Sequence, residues 1–292
     1  MNDYQIADWI ASLASSVTEI GISCIDMIVD QSGGQFPLIP ALKSFSSEMD
    51  WCSLFQGLPE EVVTDKAPIL IRIDLTHAVQ RQWMSEIMMR LGRKPVLLVL
   101  CSSWSFDRLS QHLIQCVDAA YAGKGGILRF YDPRIFPVLF SHVLDKEQQQ
   151  QFFRPVLFWS WLDRDGAPHV IWSEGHAEPV DETVQKIDLT DEQLEHLSCV
   201  SDAHILMLKL SNQDEYSAFS RGQLFDSCYA LMVEASGKDI LLDGDRESFV
   251  LKHLKSRLLS LKSVEDEKTT IEAGGFIPAC WLPVASFRHR RE

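Results

Sequence analysis

Unbroken apolar runs separated by helix-length stretches limit the fold of this chain more than any other feature. Ile22–Val29, Ile69–Ile73 and Pro95–Cys101 have the length of strands and almost no polar interruption. Runs of this kind suit strands that are covered on both faces. Between and around them the apolar spacing is helical. Ile6, Trp9, Ile10, Leu13 and Val17 share a stripe over 4–20, and Gly21 stops that helix. Asp30-Gln-Ser-Gly-Gly34 is a turn signal, and a short helix is expected over Pro37–Phe45. Residues 47–66 read as irregular, and 78–91 as a second long helix. Residues 105–121, with Phe106, Leu109, Leu113 and Val117 in line, read as a helix broken by Gly123–Gly126. Gly126–Tyr131 reads as a fourth strand, and Asp132-Pro133 opens another helix. Residues 145–153 read as helix, followed by a hairpin from Pro155–Leu162 and His169–Glu174 around Asp163-Arg-Asp-Gly166. Strand–helix alternation over 22–150 predicts an α/β lobe: a mostly parallel sheet flanked by helices.

The character changes near residue 180. Thr190-x-x-Gln193 is a capping-box pattern that leads a helix with Leu194, Leu197, Ile205 and Leu208 on one face. A second helix is expected over about 214–235. A third carries Leu251, Leu254, Leu258 and Leu261. The expected organisation is an α/β lobe over 1–182, an α-helical lobe over 183–273 and an extended tail over 274–292.

Charge narrows the partners. The chain carries 27 basic and 41 acidic side chains, a net −14, split evenly between residues 1–180 and the rest. A surface of this sign repels nucleic-acid phosphates and anionic lipid. The apolar runs are too short to span a bilayer, and no basic residue precedes Lys43, so neither membrane insertion nor a signal peptide is expected. Seven cysteines are an odd number without C-x-x-C spacing. They read as reduced thiols in a cytoplasmic protein.

The search for chemistry finds little. Asp26, Asp74 and Asp132 lie near strand ends, where a metal or phosphate site is conceivable in an α/β sheet, but also where carboxylates cap helices and turns. Ala122-Gly-Lys-Gly-Gly126 precedes a strand rather than following one and lacks the phosphate-loop pattern. Gly21-Ile-Ser-Cys-Ile25 lacks the second glycine of a nucleophile elbow. His196 and His204 are too far apart on one helix to share a metal. No catalytic residue, metal site or cofactor is expected. The dense aromatic stretch Phe152, Phe153, Phe158, Trp159, Trp161 and Trp172 reads first as core. The sharper reading makes it part of a groove for an apolar segment of a partner. Arg288, Arg290 and Arg291 form a basic terminus that reads as solvated.

One segment is more specific. Gly126-Ile-Leu-Arg-Phe-Tyr-Asp-Pro-Arg134 resembles the signature of type VI secretion effector chaperones, the Tap or Tec adaptors that include VasW-like proteins. Ile22–Asp30 is similar to their first strand, Trp51-Cys-Ser-Leu-Phe55 to a W-x-x-L-[FY] element, and Ala67-Pro-Ile-Leu70 to a strand entry. At Ile69 an aromatic is common in the family. Ser102–Leu113 and Leu189-Thr-Asp-Glu-Gln-Leu194 resemble two further segments. The likeness covers most of 22–260.

The resemblance implies a job. Such proteins bind a particular toxin in the cytoplasm, hold it, and help load it onto the VgrG spike. They are not known as enzymes. Arg129, Tyr131, Asp132, Pro133, Arg134 and Trp51 carry over as a signature, with a structural role expected ahead of partner contact. Phe158, Trp159, Trp161, Trp172, Phe276 and Trp281 are the expected effector-binding candidates, in a groove between the lobes. Two rivals remain at this point: a metal-dependent α/β enzyme built on Asp26, Asp74 and Asp132, and an immunity-like protein that neutralises a toxin.

Overall fold

The computed structural model describes residues 3–33, 38–44, 49–176, 184–240 and 242–272. The chain divides into two compact units, Met1–Thr190 and Asp191–Glu292.

The first unit begins with helix α1, Asp3–Glu19, whose Ile6, Trp9, Leu13 and Val17 are buried. Its end follows from Gly21. That residue takes φ +75°, its N–H reaches Thr18 O, and Ile22 N–H reaches Val17 O. This pair of bonds is a Schellman stop, which needs the left-handed conformation glycine adopts without strain. Strand β1, Cys24–Asp30, follows. The next elements are α2 (Leu38–Ser44), β2 (Trp51–Ser53), β3 (Pro68–Asp74), α3 (Ala78–Leu91), β4 (Leu97–Cys101) and α4 (Phe106–Val117). They are followed by β5 (Asp118–Tyr121), β6 (Lys124–Ile127), α5 (Phe136–Val138), α6 (Lys146–Phe153), β7 (Phe158–Leu162), β8 (Pro168–Trp172) and β9 (Ile187–Leu189).

The main sheet has the order β2-β3-β1-β4-β7-β8, and every neighbouring pair is antiparallel. This overturns the expectation of a mostly parallel sheet. Continuous apolar runs report burial on both faces, not strand direction. Nor does a helix between two strands make them neighbours: α3 links β3 to β4, which run the same way but have β1 between them, a split βαβ unit. One parallel pairing is present, β5 with β9, in a small sheet of order β6-β5-β9.

Alternation along the strands sorts the residues onto two faces. Ile25, Met27, Val29, Ile69, Ile71, Ile73, Leu97, Val99, Cys101 and Phe158 pack with the buried sides of α1 and α3. Asp26, Ile28, Leu70, Arg72, Leu98, Leu100, Trp159 and Trp161 look the other way, as the registers Asp26↔Arg72, Asp26↔Leu100 and Leu100↔Trp159 require. Trp9 ties α1 to the sheet by donating its Nε1–H to Ser160 at 2.8 Å.

Two local expectations change. The helix expected over 105–121 stops at Val117, and the strand expected over Gly126–Tyr131 begins and ends earlier, at Lys124 and Ile127. The cause is a hairpin between β5 and β6. Its two central residues, Ala122 (φ 50°) and Gly123 (φ 76°), both take the positive φ of a type I′ turn. An Asp145-x-x-Gln148 capping box starts α6.

The second unit contains α7 (Asp191–Leu210), α8 (Arg221–Ser236) and α9 (Asp243–Glu272). On α7 the buried stripe is Cys199, Val200, Ala203, Leu206, Met207 and Leu210, not the expected Leu194, Leu197, Ile205 and Leu208, of which Leu194, Ile205 and Leu208 are exposed. Two apolar stripes at helical spacing run along this helix, and spacing alone does not say which one the neighbouring helices cover. On α9, Val250, Leu254 and Leu258 are buried, whereas Leu251 and Leu261 are exposed. The expected tail over 274–292 lies outside the described residues.

Candidate functional site

The 129–134 segment forms a charged corner between the small sheet and α5. Asp132 is 1% exposed. Its Oδ1 accepts the backbone N–H of Arg134 at 2.9 Å and that residue's Nε–H at 2.9 Å, and its Oδ2 accepts from Nη2 at 2.6 Å. The Asp132 carbonyl accepts the N–H groups of Ile135 and Phe136 and so begins the next turn. A short side chain that bonds two residues ahead is the usual way aspartate fixes such a turn. Pro133 is buried within it and supplies a preset φ.

Arg129 carries the corner across the chain. Its Nη2 donates to Asp30 Oδ2 at 2.8 Å and to Ser32 Oγ at 3.1 Å, and lies 3.7 Å from Asp132. Asp30 closes β1, is 3% exposed, and also accepts Ser32 N–H. Arg129 thus bridges two buried carboxylates that are far apart in sequence. Tyr131 lies beneath its guanidinium, 5.9 Å from carbon to ring centre, and meets Phe55 and Phe130 edge to face. Burial pushes the Tyr131 phenol well above its usual range. The hydrogen bonds from Arg134 to Asp132 hold that guanidinium's pKa above its usual value, against partial burial. Arg164 donates to Arg134 O at 3.0 Å. Trp51, by contrast, pairs with Ile71 and packs against the α1–α3 core; the residue of its element that meets the corner is Phe55.

Phe130 leads into an aromatic layer over the second face of the main sheet. It meets Phe152 at 5.0 Å and Trp159 at 6.1 Å, and Phe136 meets Trp159 at 5.1 Å and Trp161 at 5.3 Å. Trp159 Nε1–H is satisfied by Phe152 O. Phe158, Trp159 and Trp161 are therefore interior: each is at most 2% exposed. Trp172 differs. It is 46% exposed and touches Phe158 with one edge. Phe276 and Trp281 lie outside the described residues.

Of the three aspartates expected near strand ends only Asp74 ends a strand; Asp26 lies within β1 and Asp132 in the corner beyond β6, and each is engaged separately. Asp26, fully buried, accepts two hydrogen bonds from Arg72, at 2.8 and 2.9 Å, and Arg72 also donates to Trp104 O. Burial pushes the Asp26 carboxyl up, and Arg72 opposes that with its hydrogen bonds and charge. Asp74 accepts the N–H and Oγ–H of Thr76 in the turn before α3, and these hold its carboxyl below the usual range. Asp132 belongs to the corner. Among the described residues no group of three or more His, Cys, Asp or Glu side chains could hold a metal ion. Ala122–Gly126 spans the β5–β6 hairpin, and Gly21–Ile25 spans the α1 stop and the start of β1. The six described cysteines are free, and burial pushes the thiols of Cys52, Cys101 and Cys228 up to about 12.

Sequence reasoning missed two ionic clusters. One is Arg72–Asp26, legible in principle as a lone arginine inside an apolar strand. The other is in the second unit. Arg246, 5% exposed, donates to Glu195 and to Ile240 O and lies 3.8 Å from Asp202, while Ser236 Oγ–H donates to Glu195 at 2.6 Å. No spacing signal joins these residues. They tie the first turns of α9 to α7 and to the end of α8.

Residues 27–151 match a family model described as "Domain of unknown function (DUF4123)". The matched stretch runs from β1 through α6 and contains the whole 129–134 corner together with Asp30 and Phe55. No curated protein and no solved structure matches the chain. Among the described residues no helix is long and apolar enough to cross a membrane.

Proposed function

We propose that this chain is an effector chaperone and adaptor of type VI secretion. It binds a cognate toxin in the cytoplasm, keeps it competent for export, and helps load it onto a VgrG spike, with no bond-making chemistry of its own. The observation that carries this reading is the coincidence of the family match with the RFYDPR segment: residues 27–151 enclose Arg129–Arg134, the stretch that resembles the chaperone signature. Three physical features support it. The two buried carboxylates of the corner, Asp30 and Asp132, are each paired with an arginine, as a structural joint requires. The net charge of −14 keeps an unloaded carrier soluble and disfavours nucleic acid. A carrier must also let go, so a modest recognition surface suits it better than a large obligate one, because affinity depends on more than buried area.

The test is co-expression with the candidate toxin encoded beside this chain. The toxin is expected to be soluble and secreted with the chain present, and insoluble or retained without it. Equal solubility and equal secretion in both cases would refute the reading. Protection of a sensitive cell by this chain alone would assign it to neutralisation instead.

A further inference from the structure

Among the described residues no strand pairs with the outer edge of β8. This strand pairs with β7 through Phe158↔Trp172, Trp159↔Ile171, Ser160↔Val170 and Trp161↔His169. Two bonds flanking the pair, Ser173 N–H to Leu157 O and Asp163 N–H to Ala167 O, set which residues face β7. The hydrogen-bonded positions alternate along an antiparallel ladder, so His169 and Ile171 turn their backbone groups toward β7. Val170 and Trp172 turn theirs outward. Among the described residues nothing meets those two N–H and two C=O groups. Trp172 is also the half-exposed aromatic of this region, with Val170 beside it on the same face, partly buried against the α1–α3 core. His169 is held on the other face by Asp163 at 2.9 Å and by stacking on Trp161.

Edges of this kind are usually blunted by charge, by a bulge or by an extreme shortness of the strand. Pro168–Trp172 has five residues and no Lys, Arg, Asp or Glu, in a chain of which 23% is charged. Proline appears at its first position alone. The free main-chain groups call for another strand, and the uncharged Val170–Trp172 pair calls for apolar side chains opposite them.

We infer that β8 is a strand-addition site: an extended, uncharged segment of the cargo polypeptide pairs with Val170 and Trp172 and continues the six-stranded sheet. Main-chain bonds supply affinity with little demand on cargo sequence, and the Trp172–Val170 face sets a preference for apolar residues at alternate positions. The identity of the partner as cargo rests on the chaperone reading. The geometry of the edge does not.

Backbone hydrogen exchange on the full chain, free and bound to the co-expressed cargo, tests this. In the free chain the amides of Val170 and Trp172 should exchange fast while those of His169 and Ile171 are protected. Binding should slow the first pair at least tenfold. Val170→Pro removes one outward donor and leaves the β7 ladder intact, since proline is tolerated on an edge. Trp172→Lys places a charge on the docking face without touching the backbone. Each should weaken cargo binding at least tenfold; the melting temperature of the free chain should stay nearly unchanged for Trp172→Lys and fall modestly for Val170→Pro, which also gives up the packing of Val170 on the core. A complex that forms while both amides stay fast, or that survives both substitutions, overturns the inference and leaves the chaperone reading standing. A free chain of doubled mass with a protected edge assigns β8 to a second copy and also overturns it. A wild-type chain that holds no cargo refutes the chaperone reading, and this inference with it.

Discussion

Replacing Arg72 by alanine should be among the most damaging single changes in the first unit. The Asp26 carboxylate is 0% exposed and lies on the sheet face with Ile28, Leu70 and Leu100. Arg72 gives it two bonds, at 2.8 and 2.9 Å, and gives Trp104 O a third. Removing the guanidinium strands a charge that burial already disfavours, together with a buried carbonyl. Breaking a buried pair from one side costs about 3–5 kcal/mol. At a urea slope of about 2–3 kcal/mol/M, a loss of about 4 kcal/mol moves the midpoint down by about 1.3–2 M. Seven of the eight tryptophans precede residue 190, so intrinsic fluorescence follows this unit. Asp26→Leu with Arg72→Met should be far milder than Arg72→Ala. Apolar replacement of a whole buried pair is often neutral, and the Trp104 carbonyl then remains as a cost of about 1–3 kcal/mol. The reasoning fails if Arg72→Ala leaves the midpoint within about 0.3 M of wild type, or if the double substitution is as damaging as the single one.

Asp132→Ala removes three bonds to Arg134 and leaves two guanidiniums facing each other across the corner; a loss of about 2–3 kcal/mol is expected in the same urea assay, with Asp132→Asn intermediate. Hydrogen bonds from His169 and from the Ala167 and Asp165 amides hold the Asp163 carboxyl below its usual range, against its partial burial. Its stabilising contribution is therefore full above the unfolded value of about 3.9 and is lost as pH falls through the lower folded value. The urea midpoints of wild type and Asp163→Asn should differ at pH 5 and converge toward pH 2.5. In a Cys280→Ser background, iodoacetamide at pH 8 should label the part-exposed Cys24 first. Cys52 should stay slow because its thiol is pushed up to about 12, and Cys101, Cys116, Cys199 and Cys228 should react only on unfolding, as peptide mapping would show.

What sequence revealed and what it hid divide along a physical line. The buried strands, the stop at Gly21 and the helices α1, α3 and α4 were legible because each depends on residues within a few positions of one another. Strand direction was not. Whether β1 runs with or against β3 and β4 depends on which strands become neighbours, and the apolar run Ile69–Ile73 reads the same either way. The two stripes on α7 failed for a similar reason, since Leu206 and Ile205 are equally apolar and the packing partner chooses between them. The aromatic candidates separate only in three dimensions. Trp159 and Trp161 alternate with Ser160 and so share the covered face of β7, whereas Trp172 sits on the last strand of the sheet.

The position of the signature residues also bears on where recognition can occur. Arg129 fastens the end of β1 to the turn before α5, and Asp132 shapes that turn, so both act on the path of the chain. Asp132 and Tyr131, at 1% and 3% exposed, have few atoms left for a partner, whereas the side chains of Arg129 and Arg134 stay 42% and 34% exposed. On the chaperone reading proposed above, chains that share this corner can share a scaffold while differing in what they carry. On that reading, discrimination between cargoes falls to surface outside the buried Asp132 and Tyr131. Strand addition fits this division of labour, because main-chain pairing along β8 tolerates many cargo sequences, and selectivity is left to the few side chains that meet Val170 and Trp172.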